Sequence, residues 1–336
     1  MNRLQYRKII SYLAVSALLV GVGWHAHGWY RDHYDRHKLR RVAPHDFRFT
    51  SPLLDVELPE GIDVSNEPIP FKHKIVSLVQ KQIDSGLVRE VSVYYRDLLD
   101  GPWFGINENA EFNPASMMKV PVMIAWLKRA EKDPHVLKRS YTHDGKEDTN
   151  ALQDIPPHHT ITPGRPYTVE ELLHYMMNYS DNNATTLLYR GLSATELNAV
   201  LDGMDVDNKV ADDSNSISVH GYSGFFRILY NASYLSREMS ENALALLSLQ
   251  DFPQGIAAGV PEGTRIAAKF GELARERSGG EKQLHEFGIV YHPTRPYILG
   301  IMTRGKDFTN QQTVLGAISR MIYTKVDSNA ARNGMR

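Results

Sequence analysis

Cysteine is absent from this 336-residue chain. That excludes a disulfide framework, a thiol nucleophile, a cysteine-based zinc site and a lipidated cysteine. Charge of one sign is also missing: 38 Lys and Arg stand against 39 Asp and Glu, a formal net charge of -1. With no basic field and no aromatic-interleaved basic groove, nucleic acid is not an expected partner. No His-Glu-x-x-His helix occurs, and the pair His158-His159 is the nearest approach to a metal pattern, so no metal and no cofactor is expected. Low-complexity segments and internal repeats are lacking too. What remains, 42% hydrophobic and 23% charged, is enough for one large domain or two intimately joined ones.

The longest uncharged run lies at the start. Arg3, Arg7 and Lys8 precede Ile9 to Trp24, which resembles a signal sequence or anchor. Trp24, Trp29 and Tyr30 extend it as an interfacial aromatic belt, and no small-x-small cleavage site follows. Residues 1–30 are therefore expected to form an uncleaved single-pass membrane helix. Arg31, Arg36, Lys38, Arg40 and Arg41 outnumber the basic residues before the run, so charge alone does not set its orientation. Residues 31–70, basic at first and then punctuated by Pro44, Pro52, Pro59, Pro68 and Pro70, read as a spacer.

Folded structure is expected over residues 71–326. A helix from Phe71 to Ser85 carries Ile75, Leu78, Val79 and Ile83 at helical spacing and stops at Gly86. Strands follow at Val91–Tyr95 and Trp103–Ile106, joined by the Asp100-Gly101 turn. The apolar run Asn113–Leu127 reads as a helix capped by Asn113. Thr168-x-x-Glu171 and Ser193-x-x-Glu196 are capping boxes, opening helices to Tyr179 and to about Met204. Helices at Gly224–Tyr234 and Glu241–Leu249 come next. Strands return at Ile266–Gly271, Glu286–Tyr291 and Tyr297–Met302, and Thr309-x-x-Gln312 is expected to cap a last helix to about Lys325. Residues 327–336 read as a frayed, disordered tail. Strands at both ends of the domain thus enclose a helical block.

The chemistry concentrates in three short stretches. Ser116 and Lys119, at i and i+3, face the same side of a helix whose continuation is apolar. Desolvation presses such a lysine toward its neutral form, and a neutral amine can take the proton of a serine hydroxyl. Ser180-Asp181-Asn182 sits between two helices, and Lys269-Phe270-Gly271 ends a strand. Each stretch alone has an ordinary reading: a cap with a surface lysine, a helix-capping triplet, a strand end.

Together, Ser-x-x-Lys, Ser-Asp-Asn and a late Lys-x-Gly resemble the motif set of class A β-lactamases and penicillin-binding proteins. The resemblance runs from about Phe71 to Lys325 and implies an α/β (α+β) three-layer fold. An antiparallel five-stranded sheet would be flanked by terminal helices, with an all-helical subdomain alongside. It implies Ser116 as nucleophile, Lys119 as the amine that activates it and Ser180 as proton relay to the leaving nitrogen. Asn182, Lys269, Gly271 and Glu272 would contact substrate, Lys269 as a cation attracting an anionic group. The backbone N–H groups of Ser116 and Glu272 would form the oxyanion hole. The implied substrate is a β-lactam or a small peptidoglycan-like peptide, which places the domain on the extracytoplasmic side of the cell membrane.

Two departures shape the expectation. Phe270 replaces the usual hydroxyl residue between Lys and Gly, and Glu272 stands where the family carries something small; both weaken recognition of a substrate carboxylate. The stretch Leu201–His220 is short and lacks the deacylating glutamate of class A enzymes, holding only Asp202, Asp205, Asp207, Asp212 and Asp213. Poor β-lactam turnover is expected. The alternative is a non-hydrolytic sensor or scaffold that captures wall fragments or penicillin. The oligomeric state is not readable from the sequence.

Overall fold

The computed structural model describes residues 40–41, 48–51, 56–57, 69, 71–99, 101–203, 216–275 and 280–334. The expected membrane helix, most of the spacer and the aspartates from Asp205 to Asp213 lie outside them. Among the described residues no helix is long and apolar enough to cross a membrane. Arg40–Arg41 pairs antiparallel with Val56–Glu57 in a unit of its own. The second unit comprises residues 47–51 and 64–336.

Five antiparallel strands form the central sheet: β1 (Glu90–Asp97), β2 (Trp103–Ile106), β3 (Ile266–Arg275), β4 (Glu281–Val290) and β5 (Tyr297–Gly305), in the order β2-β1-β5-β4-β3. The chain-terminal strands therefore pair directly, β1 with β5, and β3 is left at an edge. Eight α-helices surround the sheet among the described residues. Helices α1 (Lys72–Asp84) and α8 (Phe308–Gly334) cover one face. Opposite lie α2 (Lys119–Lys132), α3 (Val169–Asn178), α4 (Asn182–Arg190), α5 (Ala194–Asp202), α6 (Val219–Tyr230) and α7 (Arg237–Leu247).

The period-two alternation of the strands divides the core accordingly. On β5, Leu299 and Ile301 pack with Ile75, Val314, Ile318 and Ile322, whereas Ile298 and Met302 join Trp126, Phe226 and Phe287 on the helical side. This is the expected three-layer arrangement. Both predicted capping boxes form: Thr168 with Glu171 opens α3, and Ser193 with Glu196 opens α5.

Element ends differ from the sequence reading for identifiable reasons. The strands run several residues beyond their apolar stretches because antiparallel pairing continues through polar positions such as Lys282↔Gly305 and Lys282↔Ala274. Helices α6 and α7 begin earlier than their apolar patterns suggest. Ser218 caps the Gly221 N–H and Ser236 caps the Met239 N–H. At α8, Asp307 rather than Thr309 accepts the first-turn N–H, from Asn310 at 2.9 Å. The helix passes Lys325 and continues to Gly334, so the tail read as frayed is helical as far as it is described.

Within the stretch read as spacer, residues 48–51 are fastened to the domain. The Glu241 carboxylate on α7 accepts the backbone N–H groups of Arg48, Phe49 (2.8 Å) and Thr50 (2.9 Å). Ser51 N–H donates to Tyr230 O at 2.7 Å, and the Phe49 ring meets Tyr291 edge-on at 5.6 Å. Glu241→Ala leaves three donors without their acceptor and should lower stability by about 1–2 kcal/mol. Urea unfolding measures this loss, and Glu241→Gln, which keeps an acceptor oxygen, should lose less.

Candidate active site

The turn that carries Ser116 is set by hydrogen bonds before any chemistry begins. Asn113 Oδ1 accepts the Ala115 N–H at 2.9 Å, and Ala115 takes a left-handed φ of 48°. Residues Ala115–Met118 then form a 3₁₀ turn, and α2 starts only at Lys119. The sequence reading placed Ser116 inside the first α-turn. The left-handed residue before it and Pro121, which has no N–H to give to the helix ladder, account for the tighter turn. Ser116 is half-buried and Lys119 is buried.

Strand β4 holds this turn from below. Gln283 Oε1 accepts the Asn113 N–H at 3.2 Å, and His285 Nε2 lies 3.1 Å from Asn113 O. The Thr303 N–H donates to His285 Nδ1, so Nε2 carries the proton that goes to Asn113. Burial pushes the His285 pKa down to about 3, which keeps the ring neutral. From α6, Tyr222 donates its hydroxyl to Met117 O at 2.8 Å. Sequence reasoning passed over Gln283, His285 and Tyr222. The available signal was Gln283 and His285 at i and i+2 on either side of Leu284, just ahead of the apolar run Phe287–Val290.

Three distant segments converge on one hydroxyl. Lys119 Nζ donates to Ser180 O (2.7 Å) and Ser180 Oγ (2.9 Å), and Lys269 Nζ donates to the same Oγ at 3.1 Å. Ser180 adopts φ 60°, a strained backbone for a residue with a side chain, which turns its carbonyl and hydroxyl together toward Lys119. Asp181, fully buried, makes that conformation tolerable. It caps α4 through the Asn183 N–H (2.8 Å) and accepts from the Ile161 N–H, Thr160 Oγ1 and Asn150 Nδ2. Asn150 Oδ1 in turn accepts the Asn182 N–H at 2.7 Å. The Asn182 side chain is half-buried, its Nδ2 reaching Thr149 O at 3.3 Å.

Burial decides the electrostatics. Desolvation lowers the Lys119 pKa from 10.5 to about 7, although Asp181 and Glu272 pull it the other way. Lys269 is lowered well below its ordinary value by desolvation first and by repulsion from Lys119 second. The neighbouring carboxylates move oppositely. Desolvation raises Glu272, and it raises the buried Glu286 to about 7. Glu286 accepts from the Ile256 N–H at 2.5 Å and from Gln250 Nε2 at 2.8 Å. It is another residue that the sequence did not single out.

Gly271 explains how β3 comes so near the serine turn. A Cβ there would stand 2.7 Å from Pro114 O and 3.0 Å from Met117 N. Glu272, one residue on, reaches away from the strand, and its Oε1 accepts the Asp154 N–H at 3.0 Å. Among the described residues, no group of three or more His, Asp or Glu side chains is placed to hold a metal ion. Asp202 is exposed at the end of α5.

This sheet-and-helix architecture, with a serine turn, a buried amine beneath it and a second hydroxyl shared between two amines, is that of the β-lactamase-like serine hydrolases. Residues 71–326 match the family described as "Beta-lactamase enzyme family", and the chain belongs to it. The fold is similar to a β-lactamase from Sphaerobacter thermophilus DSM 20745, at 22% identity and TM-score 0.64, covering 75% of this chain and 96% of that one. It is also similar to a mutant of PBP-A in an acyl-enzyme complex with penicillin-G (21%, TM-score 0.61, 75% and 97% covered). A β-lactamase from Chitinophaga pinensis DSM 2588 is similar at 19% identity and TM-score 0.64, with 75% and 99% covered. No curated protein matches in sequence.

The close packing at Gly271 is testable. Gly271→Ala should push the serine turn off β3 and slow labelling of Ser116 by a serine-reactive probe roughly 100-fold, the scale expected when a reacting atom shifts by about 1 Å. Thermal unfolding of the same variant separates this from loss of the fold.

Proposed function

We propose that the protein is a membrane-tethered serine acyltransferase or hydrolase that forms an acyl-serine on a β-lactam or peptidoglycan-like peptide and turns β-lactams over poorly. The observation that carries this reading is the shared hydroxyl: two buried lysines, Lys119 and Lys269, converge on Ser180 Oγ. Ser116 precedes Lys119 by one turn.

In this reading the Ser116 Oγ–carbonyl carbon bond forms as the hydroxyl proton passes to neutral Lys119. The oxyanion is held by the backbone N–H groups of Ser116 and Glu272. The carbonyl carbon–nitrogen bond then breaks, and the leaving nitrogen takes the Ser180 hydroxyl proton, which Lys119 replaces with the proton it took from Ser116. Asn182 orients the substrate amide. A neutral Lys119 is available at physiological pH because its pKa is about 7. Slow deacylation follows from the absence of glutamate between Leu201 and His220.

Incubation with a fluorescent penicillin should add one acyl group to Ser116, detected by intact mass, and Ser116→Ala should remove it. The acylation rate should rise with pH and reach half its plateau at about pH 7. An ordinary lysine would place that midpoint above pH 10. Reversible binding that survives Ser116→Ala would favour the non-hydrolytic sensor instead.

The tether and the extracytoplasmic placement rest on the uncharged run Ile9–Trp24 and on the substrate class. A reporter active only outside the cytoplasm, fused after residue 42, should be active.

A further inference from the structure

Lys269 is the one cleft cation expected to attract an anionic substrate group, and its ammonium is already held by the protein. Two of its donors go to Ser180 Oγ (3.1 Å) and Phe270 O (2.9 Å). The Phe270 ring also lies against the ammonium, its centroid 4.2 Å from Nζ. With two of its three donors spent on protein acceptors, the ammonium keeps at most one for a carboxylate, and the ring packs beside it. The ring is itself immobilised, stacked on Phe252 at 4.3 Å with 17° between planes, and the Phe270 N–H is held by Gln250 Oε1 at 2.6 Å.

Beyond Lys269 the surroundings are acidic. Glu272 is close enough to act electrostatically on both Lys119 and Lys269. It is fixed there by the backbone N–H groups of Asp154 (3.0 Å) and Ile155 (3.5 Å). This contact draws the loop that follows the 3₁₀ turn Thr149–Leu152 onto edge strand β3, and with it the Asp154 carboxylate. Lys282 Nζ, 3.9 Å from Asp154 Oδ1, answers that charge on the β4 side. His158 pairs with Asp251 at 2.6 Å further along the same loop. Glu286, the buried cross-strand partner of Phe270, is the second carboxyl group that acts on Lys269.

We propose that Phe270 and Glu272 set the specificity of this site, turning it away from substrates with a carboxylate beside Lys269 and toward acyl donors in which that position is neutral, an ester or an amide. The inference rests on the acyl-serine reading above. Phe270 packs a ring against the Lys269 ammonium in place of a hydroxyl donor, and Glu272 repels an anion that approaches along β3. A neutral ester or amide carries no charge for Glu272 to oppose.

The test uses the full-length protein with benzylpenicillin and its methyl ester, which differ only in that charge. Rates of Ser116 acylation are read by intact mass, each divided by the probe's own rate of base hydrolysis, with a fluorophosphonate as a charge-independent control. The wild type should take the ester roughly tenfold faster or more, the scale of one like-charge contact in a partly buried site. Glu272→Gln keeps the shape and should narrow that ratio severalfold, and Phe270→Thr should narrow it further. Because both probes meet the same Lys119, the ratio cancels any change in serine activation. Equal rates, a faster acid, or a ratio that Glu272→Gln leaves unchanged overturns the proposal. Labelling by the fluorophosphonate but by neither lactam overturns it too and leaves a reactive serine whose acyl donor is a peptide and not a β-lactam. Failure of all three probes refutes both.

Discussion

Two ammonium groups buried against a single hydroxyl are the constraint around which this domain is built. Lys119 and Lys269 both donate to Ser180 Oγ, and neither is exposed to water. Charged amines in such a place are costly, so the surrounding structure must offset the cost with acceptors, carboxylates and loss of a proton. All three are present. Ser180 O and Phe270 O accept, Asp181 and Glu272 act on Lys119, and the pKa of each lysine falls. Mutual repulsion between the amines favours one of them being neutral, which is the state a general base needs.

Holding these groups together takes backbone conformations that would not persist alone. Ala115 and Ser180 both occupy the left-handed region, on either side of Lys119. Each is over-determined by its neighbours. Asn113, Gln283, His285 and Tyr222 secure the first turn, and Asp181 with Asn150 secures the second. Strain of this kind concentrates at working sites because a rigid scaffold can carry it. The scaffold here is the sheet, whose edge strand β3 approaches the serine turn only because position 271 lacks a side chain.

The carboxylates give this member of the family its own character. Glu272 and Glu286 act on a lysine that already donates to Ser180 Oγ and Phe270 O, and Asp154 is held beside Glu272. A ring stands where the family usually has a hydroxyl. Two buried lysines share the Ser180 hydroxyl, one of them a turn after Ser116, and in the specificity proposed above Phe270 and Glu272 oppose an anion.

The sequence alone determined the family, the layers and the identity of the central polar groups. Periodicity located α1, the capping boxes located α3 and α5, and the three motifs named Ser116, Lys119, Ser180, Asn182, Lys269 and Gly271, because these signals are local in the chain. Ends were legible only where a local signal marked them: α8 outran its expected end, and β3 to β5 continued through polar residues by cross-strand pairing. Tertiary structure alone decided what each group touches. Gln283 and His285 support Asn113 from a sequence distance of about 170 residues, and Glu241 grips residues 48–50 from about 190 away. Phe270 and Glu272 were visible as departures. Their meaning depended on what an ammonium already touches and which loop a carboxylate holds, and such contacts exist only once distant segments have packed.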